Sequence, residues 1–550
     1  MRVCFIILIS LCFICTGCGF RKASSVTFTN EDGIPVTLNA LSKRAVDGVF
    51  PLGKNANYRY ELERALLTGP LSSLELEYSI DGVNGINGAE EPVFVFEKEP
   101  GYALPVDVSF LDGASDTETL QYSMPLNTAL LNKFSFNIKG GSAEGASLKL
   151  KSISVSKLRF GYEKKGSTFW ISPFVAAGKS AAGAPLISVS PRSELDEKHQ
   201  WELKLRGISG NVFIETRGKR YQYKAMEEKM DSFSVPGAFT GVKPVLVIEG
   251  RADSILLLPV LKPPLNEPIN ADPGFIKALS KELWRNKDYE FYRWESFPSI
   301  LIFDISNYEV QDKMLKRLAF FIEKKGYRGR LVNDDELEDK HGWNAHDYNA
   351  ESLASFFNAV KKQNFPINEE ERMLEQIVLN NKIIAINEQT GTYEPLSGAI
   401  ISVSRQSNDY LYTRFLVHEC FHGLFFIDNE FREFSRERYA NFNAKAKAFI
   451  RSYFDYLGYD INDSNLMINE FMAYLLQQSP GAAGEYFGKY AAGIIEKSDW
   501  RKSVLPAKNE ESGTWPLLTE LFEAESMAFS NYVSRRWGLS AGCVWRISAE

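Results

Sequence analysis

The residues with the clearest chemical potential are His418, Glu419 and His422, in the stretch FLVHECFHGLFF from Phe415 to Phe426. The chain has 550 residues and only five histidines. The spacing is H-E-x-x-H. On an α-helix, positions i and i+4 lie one turn apart on one face, so the two imidazoles can converge on one ion. Zinc favours neutral imidazole nitrogen in roughly tetrahedral geometry. Glu419 stands about 100° further round the helix, beside such an ion and placed to take a proton rather than to bind. The competing reading is a pair of satisfied histidines in a core helix. Yet burying two imidazoles and a carboxylate among Leu416, Val417, Cys420, Phe421, Leu424 and Phe425 is costly unless something pairs them. A metal would do so.

A catalytic zinc needs a third protein ligand and an open position. Asp428 follows His422 closely, but Phe425 stands where a sharp turn back to the ion would need glycine. A helix continuing through Phe426 also turns Asp428 away. Glu470 lies in NDSNLMINEFMAYLLQQ (462–478), where Asp, Ser and Asn supply helix caps and the apolar spacing behind them is helical. The H-E-x-x-H helix and NEFMAY (469–474) together resemble the gluzincin metallopeptidases, in which a second helix brings a glutamate ligand, often within an N-E-x-x-A-like stretch. The resemblance covers these two helices, with a compatible strand, GAIISVS (398–404), before the first. It does not extend to the region before residue 260. It implies one Zn2+ per chain held by His418, His422 and Glu470, in a zincin-like domain that hydrolyses peptide bonds. The ion polarises the scissile carbonyl and acidifies a water, and Glu419 moves the proton to the leaving amine.

A further donor should stabilise the oxyanion. Tyr474, Tyr439, Tyr486 and His346 are candidates, and Tyr474, one turn beyond Glu470, could instead support that ligand. GWNAHDYNAES (342–352) gathers Trp, His, Asp and Tyr. A capped helix start at Asn349 accounts for much of this density, leaving His341 and His346 as functional candidates. GAIISVS is either an edge strand to which an extended peptide adds itself or an ordinary core strand.

The elements around these residues suggest a multidomain chain. From about Ser25 to Pro259, SSLELEYSI, EPVFVFEK, KFSFNIKG, ASLKLKSISVSKLRF, WELKLRGI and PVLVIEG alternate apolar and polar residues between Gly, Asn, Asp and Ser clusters. Short strands at this spacing predict all-β sandwich modules. A break near GYEKKGST (161–168) divides them into 19–163 and 164–262. The Pro-rich LKPPLNEP (261–268) then leads into a mainly helical α+β domain over 263–550. There SILIFDI (299–305) reads as a buried strand. VQDKMLKRLAFFIEKKG (310–326) reads as an amphipathic helix stopped by Gly326. KIIAINE reads as a further strand, and from Tyr439 the chain looks almost wholly helical.

Composition bounds the function. Hydrophobic residues make up 44% and the net charge is −7, with both signs mixed along the chain. Nucleic acid is not expected as a partner, because phosphate binding needs a basic face. Four of the six cysteines (Cys4, Cys12, Cys15, Cys18) crowd the start, so no disulfide framework is expected; Cys420 and Cys543 read as two buried thiols. MRVCFIILISLCFICTGCGFRKASS has the form of a secretory signal. CTGC at 15–18 resembles a bacterial lipobox, with Cys15 where that motif usually has Leu, which would make Cys18 the lipidated residue after cleavage of 1–18. The expected product is an exported, membrane-anchored lipoprotein that acts on protein or peptide. Its β modules are candidates for glycan or protein binding, and STFWISPFV (167–175) has aromatics of the kind that stack on sugars, or pack a core. The alternatives are a surface binding lipoprotein whose zincin domain is inactive, or a zinc hydrolase acting on another amide such as cell-wall peptide.

Overall fold

The computed structural model describes residues 246–550 apart from 341 and 499–500; of 27–245 it describes the strands and part of their connections. Residues 1–26, and with them the lipobox and Cys18, lie outside the described residues, as does His341. The chain divides into two compact units, Met1–Pro173 and Phe174–Glu550. The N-terminal half is rich in β-sheet and the C-terminal part is mainly helical.

In the first unit, strand Ser72–Asp81 pairs antiparallel with Thr119–Pro125 and with Ser147–Lys157. A second sheet contains Leu38–Ala40, Asn57–Leu62, Ser135–Lys139, Val93–Phe96 and Tyr102–Ala103. In Ser147–Lys157 the inward residues are Leu148 and Leu150, then Ile153 and Val155. The alternation slips by one residue there, and a bulge between Leu150 and Ser152 restores the buried face. The stretch 161–168, read from sequence as a break between modules, is a hairpin: Phe160–Lys165 pairs with Thr168–Ile171, turning at Gly166, whose φ of 61° suits glycine. Phe169 and Trp170 are buried in this unit, and Trp170 lies under the Arg159 guanidinium, 3.9 Å from its ring centroid. It offers no open face for a sugar.

In the second unit, the long strand His199–Thr216 pairs with Ser254–Leu261, Leu246–Arg251, Lys219–Lys224 and Asp231–Val235 along its length. The Pro-rich segment after it is tied down. Arg285 donates to the carbonyls of Pro263, Pro264 and Glu267 at 3.1, 2.9 and 2.9 Å while its guanidinium is paired with Glu290 at 2.5 Å. The C-terminus is not helical to its end. Ile547–Ala549 returns as a strand on Lys219–Lys224, and the buried Asp272 accepts from the Arg546 backbone N–H at 3.0 Å.

A five-stranded sheet backs the helical part, in the order Ile269–Ala271, Tyr289–Trp294, Ile300–Ile305, Ala399–Ser404, Ala345–Asn349. Ile300–Ile305 and Ala399–Ser404 are parallel, and both are buried throughout, which is why they read as continuous apolar runs. Ala399–Ser404, the GAIISVS strand, is therefore interior. The edge is Ala345–Asn349, antiparallel to it. The helix predicted over 310–326 spans Tyr308–Ile322: Asn307 caps it by accepting from Val310 N–H at 2.9 Å. Gly326, at φ 84°, lies in the turn beyond. Ala350–Gln363 and Glu369–Asn380 follow, the first capped by Asn349 and the second by a reciprocal Asn368–Glu371 capping box. No helix among the described residues is long and apolar enough to cross a membrane.

Candidate metal centre

The motif helix runs Asp409–Ile427, opened by Asn408, whose side chain accepts from Leu411 N–H at 2.9 Å. Leu416, Val417, Cys420, Phe421 and Leu424 are fully buried. Gly423 permits the close approach of Ile300: a Cβ there would lie 2.9 Å from Ile300 Cδ1. The helix stops at Asp428, whose carboxylate caps the next helix, Asn429–Asn441, by accepting from Phe431 N–H at 2.7 Å. Asp428 also pairs with Arg536 at 2.7 Å. Both oxygens are thus engaged away from the histidines, and Asp428 is no metal ligand.

The second helix runs Ser464–Leu476, capped by Asp463, which accepts from the N–H groups of Asn465 and Leu466 at 2.9 and 3.0 Å. It packs across the motif helix and delivers Glu470. His418 Nε2 and His422 Nε2 are 3.0 Å apart. Glu470 Oε2 lies 3.5 Å from the first and Oε1 3.7 Å from the second. Two ligand atoms about 2.0–2.1 Å from one ion at a tetrahedral angle stand roughly 3.3 Å apart, so the three spacings have the size a shared cation needs. All three residues are at most 8% exposed.

The environment leaves the two imidazoles in the form a metal requires. Burial, with the Arg414 guanidinium nearby, pushes the His418 imidazole down to about 3, and burial pushes His422 down to about 4. Both are neutral lone-pair donors at neutral pH. His418 Nδ1 lies 3.1 Å from Gln477 Oε1; that oxygen can only accept, which assigns the proton to Nδ1 and the lone pair to Nε2. Asp347 Oδ2 lies 3.8 Å from His422 Nδ1, beyond hydrogen-bond reach, and that nitrogen has no hydrogen-bond partner among the described residues. Glu419 Oε2 and Glu470 Oε2 are buried with no hydrogen-bond partner among the described residues. Burial pushes both carboxyls up, Glu419 well up, with the Glu470 charge adding to its shift. Two orphaned carboxylate oxygens beside two converging nitrogens would be expensive without a cation. The donor set, two neutral imidazoles and one carboxylate, suits a catalytic zinc ion.

A cavity of about 150 Å³ opens over this cluster and is lined by His418, Glu419, His422 and Glu470, with Glu323, Asp347, Tyr459 and Tyr474 among its walls. Of the tyrosines considered from sequence, Tyr474 stands with its ring edge-on to His418, centroids 5.0 Å apart. Tyr459 lines the same cavity beside Glu470 and Tyr474. Tyr486 bonds Tyr453 at 2.5 Å, and Tyr439 packs on Phe471; neither lines the cavity. His346 also points elsewhere. It shares a strand face with Tyr348, whose hydroxyl is 2.9 Å from its Nδ1, and its neighbour Asp347 faces the metal cluster instead. Sequence reasoning missed Asp347, Glu323, Tyr459, Asn469 and Gln477. The last two could have been found, since Asn469 adjoins Glu470 and Gln477 lies two turns beyond it on the same helix face. Cys420 is a buried free thiol and Cys543 a half-buried one, so no disulfide links them.

No protein-family model matches the chain, and no curated protein sequence matches it.

Proposed function

We propose that the chain is a zinc-dependent metallopeptidase with a gluzincin-like centre in a zincin-like domain, exported and held at a membrane by a lipid on Cys18. The observation that carries this reading is the approach of Glu470, from a separate helix, to the Nε2 atoms of both His418 and His422. When bound, the cation supplies Lewis-acid polarisation of the scissile carbonyl and lowers the pKa of the attacking water. His418 and His422 present Nε2 to it, and Gln477 holds His418 in orientation from behind. Glu419 keeps an unpartnered oxygen, Oε2, beside the cluster. It receives the proton of the water there and returns it to the leaving amine. The strand Ala345–Asn349 stands at one edge of the five-stranded sheet, the position to which an extended peptide adds as a further strand, so the substrate is a protein or peptide.

The test is to express residues 19–550, quantify bound metal, and assay a mixed peptide library with and without chelator beside Glu419→Gln. About one zinc per chain with chelator-sensitive cleavage, lost in the variant, supports the proposal. Metal-free protein would sink it; zinc without peptide cleavage would point to another amide bond.

A further inference from the structure

A second cavity, of about 240 Å³, adjoins the metal cavity and shares Glu323 and Asp347 with it. Ala345 and Asp347 line the metal cavity; Asp347 and Asn349 line the second. Alternate residues of a strand share a face, so the two cavities follow one another along the same face of the edge strand. The second differs in chemistry. Arg328, Arg432 and Arg436 project into it. Arg432 and Arg436 are one helical turn apart on Asn429–Asn441, hence on one face.

The three guanidiniums are not equally committed. Arg328 is paired with Asp463 at 2.9 Å and Asp460 at 3.4 Å. Arg436 is paired with Glu433 at 2.5 Å. Arg432 donates only to neutral acceptors, Asn429 Oδ1 and, at 3.5 Å, the Phe426 carbonyl, and no carboxylate among the described residues pairs with it. Of the cavity's acidic residues, Glu323 accepts from the Tyr348 hydroxyl at 3.3 Å and Asp463 is engaged by Arg328 and the helix cap; neither these nor Asp347 pairs with Arg432 among the described residues. Arg432 therefore presents a charge and free N–H groups to a cavity beside the metal centre. Guanidinium is matched by carboxylate, with two parallel hydrogen bonds available.

We infer that this cavity is a substrate subsite in which Arg432 binds a carboxylate of the peptide. The inference rests on the peptidase reading of the adjoining centre. An extended peptide laid along the edge strand advances about 3.3 Å per residue, as the strand does, so the carboxylate belongs to a residue roughly two positions from the scissile bond. It comes from an acidic side chain or from the chain's own terminal carboxylate.

Zinc-loaded Glu419→Gln allows binding to be measured without turnover. The probes are alanine-based decapeptides in which one Glu, or its isostere Gln, is walked along the chain, each with a free or an amidated C-terminus. Binding is followed by fluorescence anisotropy. At one position the Glu peptide should bind about five-fold tighter than the Gln peptide, the scale of a partly exposed ion pair. That ratio should fall to about one when Arg432→Gln is added and be partly kept in Arg432→Lys, with zinc content and thermal unfolding confirming that both variants fold. If the terminal carboxylate is the ligand, amidation alone removes the preference; if a side chain is, amidation leaves it. Equal binding of Glu and Gln peptides, or a preference that persists in Arg432→Gln, would overturn the inference. Failure of wild type to cleave any peptide, with the ratio intact, would remove the peptidase reading and leave the carboxylate site standing.

Discussion

Two cavities share one face of the Ala345–Asn349 strand, and they pose opposite electrostatic problems. The first gathers Glu323, Asp347, Glu419 and Glu470 around two neutral imidazoles and concentrates carboxylates. The second gathers three arginines, one of them without a carboxylate partner among the described residues. They also differ in setting. His418, His422 and Glu470 are buried and come from helices locked by capping and core packing, whereas Arg328, Arg432 and Arg436 stand in partial contact with solvent. Electrostatic interactions grow as water is excluded and shrink when it screens them. Disturbing the first cavity should therefore cost orders of magnitude, and disturbing the second a small factor.

The largest effect separates chemistry from binding within the first cavity. Glu419→Gln should retain zinc and lose activity by about 10²–10⁴-fold, the range of a missing general base; retained activity with bound zinc would mean the proton is handled elsewhere. Next, Gln477→Leu should weaken zinc about 10–100-fold, the range for a partner of a ligating histidine, measured by competition with a chromogenic chelator. No change would show that its 3.1 Å contact with His418 Nδ1 carries no orientation. Gly423→Ala acts on the wall behind the metal cavity. Its new Cβ must displace Ile300, for about 1–3 kcal/mol of lost stability, read by denaturant unfolding.

A smaller effect concerns Glu323, which borders both cavities. Burial, together with the Glu470 charge, pushes its carboxyl up to about 8, from an ordinary 4.5. Without metal the folded state keeps a proton there that the unfolded chain releases. The stability this contributes is complete below about pH 4.5 and is lost as pH rises through about 8. Chelated protein should therefore unfold at lower temperature at pH 8 than at pH 5, and Glu323→Gln should flatten that fall. An unchanged slope in the variant would remove Glu323 from the account.

Much of the geometry of the candidate centre was legible in the sequence because helices carry their own phase. Once His418 and His422 are placed on one turn, their convergence follows, and Glu470 could be preferred over Asp428 from the missing glycine at 425 and the capped helix around it. The edge strand was not legible. It has five residues, is half polar, and runs directly into a helix at Asn349, so the capped helix start was read and the strand before it was not. Which of His346 and Asp347 faces the cavity depends on pairing register with Ala399–Ser404, and a shift of one residue exchanges the faces. The same limit made GAIISVS a candidate edge when it is interior. In the first unit the apolar phase slip at Leu150–Ile153 was visible, but only the bulge explains it. The return of Ile547–Ala549 to the distant Lys219–Lys224 strand has no local signal at all.

The most direct test is a zinc titration of Glu470→Ala beside Asp428→Ala at neutral pH. Glu470→Ala should weaken zinc by more than the roughly 100-fold ceiling of an indirect partner. Asp428→Ala should bind zinc as wild type does and lose only a helix cap, about 1 kcal/mol of stability. Zinc bound normally by Glu470→Ala, or lost in Asp428→Ala alone, would contradict the centre described above.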